Sequence, residues 1–224
     1  MFDCRNLLRH AQRMTPHRLY DRYEIVLDAV LHSLTFLVAL YGLGAILLRT
    51  WPDSDAFTRV IYAIYSFSLL AMITVSGVYN TWPHSPVKWM LRRLDHAVIF
   101  LLIAGTYGPP LLLLPNATTA LLLASFVWVG AVLGMALKLF WPGRYDKLAI
   151  AAYLLLGWAG VSSFNELAAA LPTISLWFLV AGGLAYSLGV PFYMWHRLRF
   201  HNVIWHVFVM AGALLHLASV DFLT

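Results

Sequence analysis

Long apolar runs broken by short polar punctuation dominate the chain. Seven runs stand out, at about 25–48, 60–80, 96–114, 118–140, 148–164, 174–195 and 203–220. Each is close to the roughly 20 residues that carry an α-helix across a hydrocarbon layer. The breaks between them have turn chemistry. Trp51-Pro52-Asp53-Ser54-Asp55 follows the first run and Trp82-Pro83-His84-Ser85-Pro86 the second. Pro115-Asn116 makes a tight turn after the third, and Trp141-Pro142-Gly143-Arg144, Asn165-Glu166 and His196-Arg197-Leu198-Arg199 supply the rest. The pattern predicts an all-α fold, an integral-membrane bundle of seven transmembrane helices over residues 24–224. A polar, basic tail over residues 1–23 precedes it. No internal repeat, low-complexity tract or second domain interrupts the series.

Composition agrees with the pattern. Of 224 residues, 61% are hydrophobic and 11% charged, whereas soluble domains run nearer 45–50% and 25%. A soluble core of this size has nowhere to hide so much apolar surface. Cys4 is the single cysteine, which excludes an internal disulfide and any cysteine-based metal site. The net charge of +5 would suggest nucleic acid in a soluble protein. Here the basic residues border apolar runs, so the expected partners are membrane lipids, with no nucleic acid.

The same residues give an orientation. The tail (Arg5, Arg9, Arg13, Arg18, Arg22), the segment Lys88, Arg92 and Arg93, the group Lys138, Arg144 and Lys147, and Arg197 with Arg199 all fall on one side. Only Arg49 and Arg59 fall on the other. The positive-inside rule then predicts a cytoplasmic N-terminus and an outer C-terminus in a multi-pass protein of the cell membrane. That is the reverse of a G-protein-coupled receptor. Arg5, Arg9 and Arg13 recur every four residues, which fits an interfacial helix on the inner leaflet. A flexible basic tail fits equally well.

Ionisable groups inside spans are costly, and are therefore candidates for function. Glu24, Asp28 and His32 fall at i, i+4 and i+8 on one face of the first helix. That face reads either as a bundle-facing hydrogen-bonded stripe or as a proton path or site wall. Ser76 and Asn80 lie one turn apart near the inner end of the second helix, Asp95-His96 opens the third, and Asn202 and His206 lie one turn apart at the start of the seventh. The charge-derived topology brings them to one membrane depth, although Asp95 taken alone also reads as a helix cap. Asn202 and His206 have the spacing to meet one ion; His201 and His206 do not, unless the helix begins after His201. His84, His196 and His201 lie in or beside inner loops, and His216 points away from His206 toward a separate hydrogen bond.

Several of these segments resemble a known family. Arg93-Leu94-Asp95-His96-Ala97-Val98-Ile99-Phe100-Leu101-Leu102-Ile103-Ala104-Gly105-Thr106-Tyr107 is similar to the third-helix signature of the hemolysin III family. That family is the bacterial branch of the progestin and adipoQ receptor group, which includes the adiponectin receptors. Tyr186-Ser187-Leu188-Gly189-Val190 and Ile204-Trp205-His206 look like its sixth- and seventh-helix motifs, and Glu24 through His32 resembles its first-helix start. The wider superfamily includes alkaline ceramidases and is viewed as metal-dependent membrane hydrolases. Its pattern is a Ser and a His one turn apart on the second helix, an Asp opening the third, and His-x-x-x-His on the seventh. The three His bind zinc, and the Asp holds a metal-bound water.

The matching residues here are Ser76, Asn80, Asp95, Asn202 and His206. The resemblance thus implies Asp95 and Ser76 as catalytic groups and His206, Asn80 and Asn202 as metal positions, with His32, His84, His96 and His201 in support. Two family His positions carry Asn. A carboxamide oxygen is a neutral, hard donor and a poor zinc ligand, so weak divalent-metal binding, or none, is expected. An Asn–Asn–Asp–His hydrogen-bonded network also makes chemical sense without metal. The expected function is a role in membrane lipid homeostasis with weak or no lipid amide or ester hydrolysis, a lipid substrate lying in the bundle. The alternatives are a pore-forming cytolysin, for which no span carries the regular polar stripe that lines an aqueous channel, and a non-catalytic lipid sensor.

Overall fold

The structure, a computed structural model, describes residues 21–83 and 85–224. The readings placed on the basic tail and on His84 lie outside the described residues. Among the described residues, seven helical segments are long and apolar enough to cross a membrane: Arg22–Thr50, Ala56–Thr81, Pro86–Leu111, Ala117–Phe140, Asp146–Ala170, Thr173–Met194 and His201–Asp221. They are called the first to seventh spans here. Among the described residues there is no β-strand.

Local chemistry sets where the spans start. Asp21, Asp55, Ser85 and Asn116 each accept a bond from a backbone N–H in the first turn of the first four spans. Such caps satisfy donors that a helix start leaves unpaired. The third span begins at Pro86, ahead of the apolar run at 96. Ser85 caps it and Pro86 occupies its first turn, where a missing N–H costs nothing. Asp95 therefore sits inside the helix rather than at its cap. The fifth span is continuous in space but not in helix type. A 3-10 stretch, Ala159–Ser163, separates Asp146–Gly157 from Phe164–Ala170. Tyr107 Oη accepts from Gly160 N at 3.0 Å and lies 2.9 Å from both Leu156 O and Gly157 O, so it satisfies backbone groups that the change of helix type frees. Asn165-Glu166, read from sequence as a break, lies within the last helical segment, and Glu166 Oε1 accepts from Thr119 Oγ1 at 3.1 Å.

Sequential spans pack side by side, and the seventh closes the ring against the first. The third span is the most central, touching the second, fourth, fifth and seventh. One apolar cluster joins the first, second and seventh spans around Leu43, Tyr65, Leu69, Met210 and Val220. Another joins the third, fourth and fifth around Phe100, Val127 and Ala131. Outward-facing positions such as Leu34, Leu48, Leu121, Leu133, Leu155 and Trp177 are large, apolar and exposed, as a lipid-facing surface requires. The polar exceptions concentrate where the first, second and seventh spans meet.

Candidate metal centre

The starts of the first and seventh spans are tied together. Asp21 Oδ1 accepts from Glu24 N, and Asp21 N donates to Glu24 Oε2, both at 2.9 Å. This reciprocal capping box fixes the first turn. Glu24 then reaches across with Oε1 to accept from Phe200 N at 2.9 Å, and Arg199 Nη2 donates to Asp21 Oδ2 at 3.0 Å. Phe200 has φ 61°, a left-handed conformation that is uncommon for a bulky side chain. The Glu24 carboxylate meets its N–H in that turn.

One and two turns deeper on the same face of the first span lie Asp28 and His32. Both are about 4% exposed or less, and His206 of the seventh span is 5% exposed. Asp28 Oδ1 accepts from His206 Nδ1 at 2.5 Å. His32 Nδ1 lies 2.8 Å from the Asp28 carbonyl oxygen, and a carbonyl only accepts, so Nδ1 carries the proton. Neutral His32 therefore presents a lone pair at Nε2. The two imidazole rings stand nearly perpendicular, 4.9 Å apart. Gly77 of the second span makes room: a Cβ there would lie 3.1 Å from His32 Cβ and 3.3 Å from its Cγ. Each of Asp28, His32 and His206 offers a donor atom within 4.8 Å of the other two. Asp28 Oδ2 and His32 Nε2 are buried with no hydrogen-bond partner. Buried polar atoms are nearly always satisfied, and these two belong to the group whose donor atoms could hold an ion.

Beside this group Asn202 Nδ2 donates to Asn80 Oδ1 at 3.1 Å. Asn80 Nδ2 donates to Ser76 O at 2.9 Å and to Ser76 Oγ at 3.4 Å. Glu24, Ile25, Asp28, Asn80, Asn202 and Val203 line a cleft of about 10 Å³ between these bonds and the first span, which is room for one water or ion. Ser76, Asn80 and Asn202 thus form one chain of bonds, and His206 lies one turn from Asn202. Asp95 stands outside the Asp28–His32–His206 group, with Oδ2 3.4 Å from His96 Nδ1. His96 faces away: Nδ1 donates to Arg92 O at 2.8 Å and Nε2 meets Tyr193 Oη at 3.4 Å. His201 opens the seventh span with its ring against His196 at 5.4 Å. His216 Nε2 donates to Leu179 O at 3.2 Å, the separate hydrogen bond its position predicted.

The family follows from comparison with known proteins. The profile described as Haemolysin-III related matches residues 23–217. The chain belongs to this family. Haemolysin-III relatives include the protein named Hemolysin-3 of Bacillus cereus, 29% identical over 202 residues and covering 90% of this chain and 92% of that one. The Hemolysin-3 homolog of Bacillus subtilis (strain 168) is 32% identical over 190 residues, 85% and 89% of the two chains. A human protein named Monocyte to macrophage differentiation factor is 30% identical over 203 residues, 87% and 82%. The chain is therefore a haemolysin-III-like multi-pass membrane protein.

The residues at the superfamily's metal positions do not fit a zinc site. Asn80 Oδ1, the atom that would coordinate, already accepts from Asn202, and both amides are committed to each other and to Ser76. The group Asp28, His32 and His206 could hold a metal ion. Two imidazoles and a carboxylate are a donor set that transition metals favour. Asp28 was legible in the sequence only as a member of the i, i+4, i+8 stripe, and nothing in that spacing pointed it at His206.

Proposed function

We propose that this haemolysin-III-like protein, set in the cell membrane with its N-terminus inside, acts in membrane lipid homeostasis through a divalent-metal centre held by Asp28, His32 and His206. The observation that carries this reading is the pair of buried atoms without partners, Asp28 Oδ2 and His32 Nε2, in a group of three residues that each offer a donor atom within 4.8 Å of the others. A bound ion would supply Lewis acidity toward water or a lipid carbonyl oxygen.

The chain's own residues prepare that place. Asp28 Oδ1 already lies against His206 Nδ1, so the carboxylate and that nitrogen would give up the proton they share in order to hold an ion. The His32 tautomer is fixed by its bond to the Asp28 carbonyl. Asn80 and Asn202 form the wall of the cleft and present no imidazole there. Ser76 keeps the role the family resemblance implies, a donor toward developing negative charge, whereas Asp95, beside His96 and outside the three-residue group, acts only as an acceptor for the proton of a water next to it. Hydrolysis of a lipid amide or ester is weak in this reading, because imidazoles are missing on the side where the superfamily has them.

Metal analysis of the full chain, purified without chelator, tests the proposal. About one equivalent of a divalent transition metal is expected, lost in Asp28→Asn and His32→Ala and kept in Asn80→Ala; less than about 0.1 equivalent overturns it. Asn80→His with Asn202→His should make the zinc harder to strip with a chelator. No gain in retention would show that these two positions do not face the metal.

A further inference from the structure

A second cleft opens where the third and fourth spans meet the start of the fifth. Arg92, Arg93, His96, Lys138, Pro142, Gly143 and Asp146 line it. Lys138, in the last turn of the fourth span, is 2% exposed, and its ammonium donates to Asp146 Oδ1 at 2.5 Å. Arg92 Nη2 lies 3.6 Å from Asp146 Oδ2. Arg93 stacks 3.4 Å over the Trp89 ring and donates from Nη1 to Leu139 O at 3.0 Å. Its Nε is buried without a partner.

Lys138 and Arg92 thus share the Asp146 carboxylate, and Arg93 stands beside them with no carboxylate of its own. Counting Asp95, which lies beside His96, still leaves an excess of one positive charge. Charge held away from water is costly unless it is balanced, and Arg93 Nε is a buried donor without a partner. Arginine forks suit phosphate oxygens in particular. The enclosed space is only about 10 Å³, so one phosphoryl oxygen enters while the rest of the group caps the mouth. Phe140, Trp141 and Tyr145 are exposed beside it, aromatic residues of the kind that sit where headgroups meet acyl chains. A phosphate delivered from water needs no such apolar collar. A lipid does.

We infer that this cleft is a binding site for the phosphate of an anionic membrane lipid, separate from the Asp28–His32–His206 centre. Basic pockets between spans on the positively charged face of a membrane protein take such headgroups.

Native mass spectrometry and lipid titration of the full chain in mild detergent test this. The probes are phosphatidylglycerol, phosphatidylcholine and inorganic phosphate. Saturable retention of phosphatidylglycerol over phosphatidylcholine is expected. Arg92→Gln should weaken it about fivefold, and Lys147→Gln, an exposed charge outside the cleft, should leave it unchanged. Arg93→Gln also removes contacts to Trp89 and Leu139, so it is read together with Arg92→Gln, whose side chain gives up one long ion pair. Equal retention of phosphatidylcholine overturns the inference without any variant. So does equal weakening by Lys147→Gln, which would mean diffuse surface attraction. Displacement of bound lipid by millimolar inorganic phosphate would assign the site to the free ion and overturn the lipid.

Discussion

His206→Ala should destabilise the bundle far more than its size suggests, and Asp28→Asn should relieve much of that loss. The Asp28 and His206 side chains are 4% and 6% exposed, so solvent screens their interaction little. Asp28 Oδ2 has no partner already. Removing His206 takes away the one side-chain donor at Oδ1, and the nearest remaining imidazole nitrogen is His32 Nδ1, 3.7 Å from Oδ2 and engaged with the Asp28 carbonyl. The carboxylate would then be buried without compensation, a situation that costs about 3–5 kcal/mol. Asp28→Asn alone forfeits a charge-assisted bond worth about 1.5–3 kcal/mol. In the double variant no unpaired charge remains. A cycle of the four proteins, measured by equilibrium unfolding in mixed micelles with metal chelated, should therefore show strong non-additivity, with the double variant more stable than His206→Ala. Additivity within about 0.5 kcal/mol would refute the reasoning, because independent sites behave that way.

Two further outcomes follow from packing and capping. A Cβ at Gly134 would lie 2.3 Å from Phe100 Cε1 and Cζ, and Phe100 is fully buried, so Gly134→Ala should cost about 1–3 kcal/mol in the same unfolding assay. Gly44 has nothing within 4 Å of a built Cβ, and Gly44→Ala should instead be neutral or stabilising by about 0.5–1 kcal/mol; similar effects at both positions would contradict the packing described. The backbone N–H of Glu24, aided by Arg199, holds the Asp21 carboxyl below its ordinary value. A depressed folded value means that its contribution is present above the unfolded pKa of about 3.9 and is lost as pH falls through the folded one. Hydrogen exchange should show the first turn of the first span losing protection at that acid end in the wild type. Asp21→Asn caps without titrating and should lose less, the difference isolating Asp21 from Glu24; identical profiles would sink the assignment.

Much of the fold is legible in the residues, and the misses have physical causes. Apolar runs of span length separated by Pro, Gly and Asn turns place the seven helices. The third span starts ten residues before its apolar run because Lys88, Arg92, Arg93 and Asp95 sit on a helix with polar neighbours, which hydropathy reads as loop. The fifth span conceals its 3-10 stretch because Tyr107, 53 residues away from Gly160, is what satisfies the backbone there. At the site, helical spacing pairs Ser76 with Asn80 and Asn202 with His206. The rotation of the first span is invisible to spacing alone. It decides that Asp28 and His32 face His206, and it is set by long-range contacts such as Glu24 with Phe200.

The pair Asp28 and His206 also imposes a timetable. The two residues are 178 positions apart in the chain and belong to the first and last spans. At roughly 5–20 residues synthesised per second, Asp28 emerges about 9–36 s before the residue that will satisfy it. For that interval the first span carries a carboxylate it cannot leave unpaired in lipid. It must therefore wait near water, or against the insertion machinery, until the final helix arrives. Closure of the last span onto the first is then the event that pairs Asp28, and a chain interrupted before residue 206 keeps that charge uncompensated.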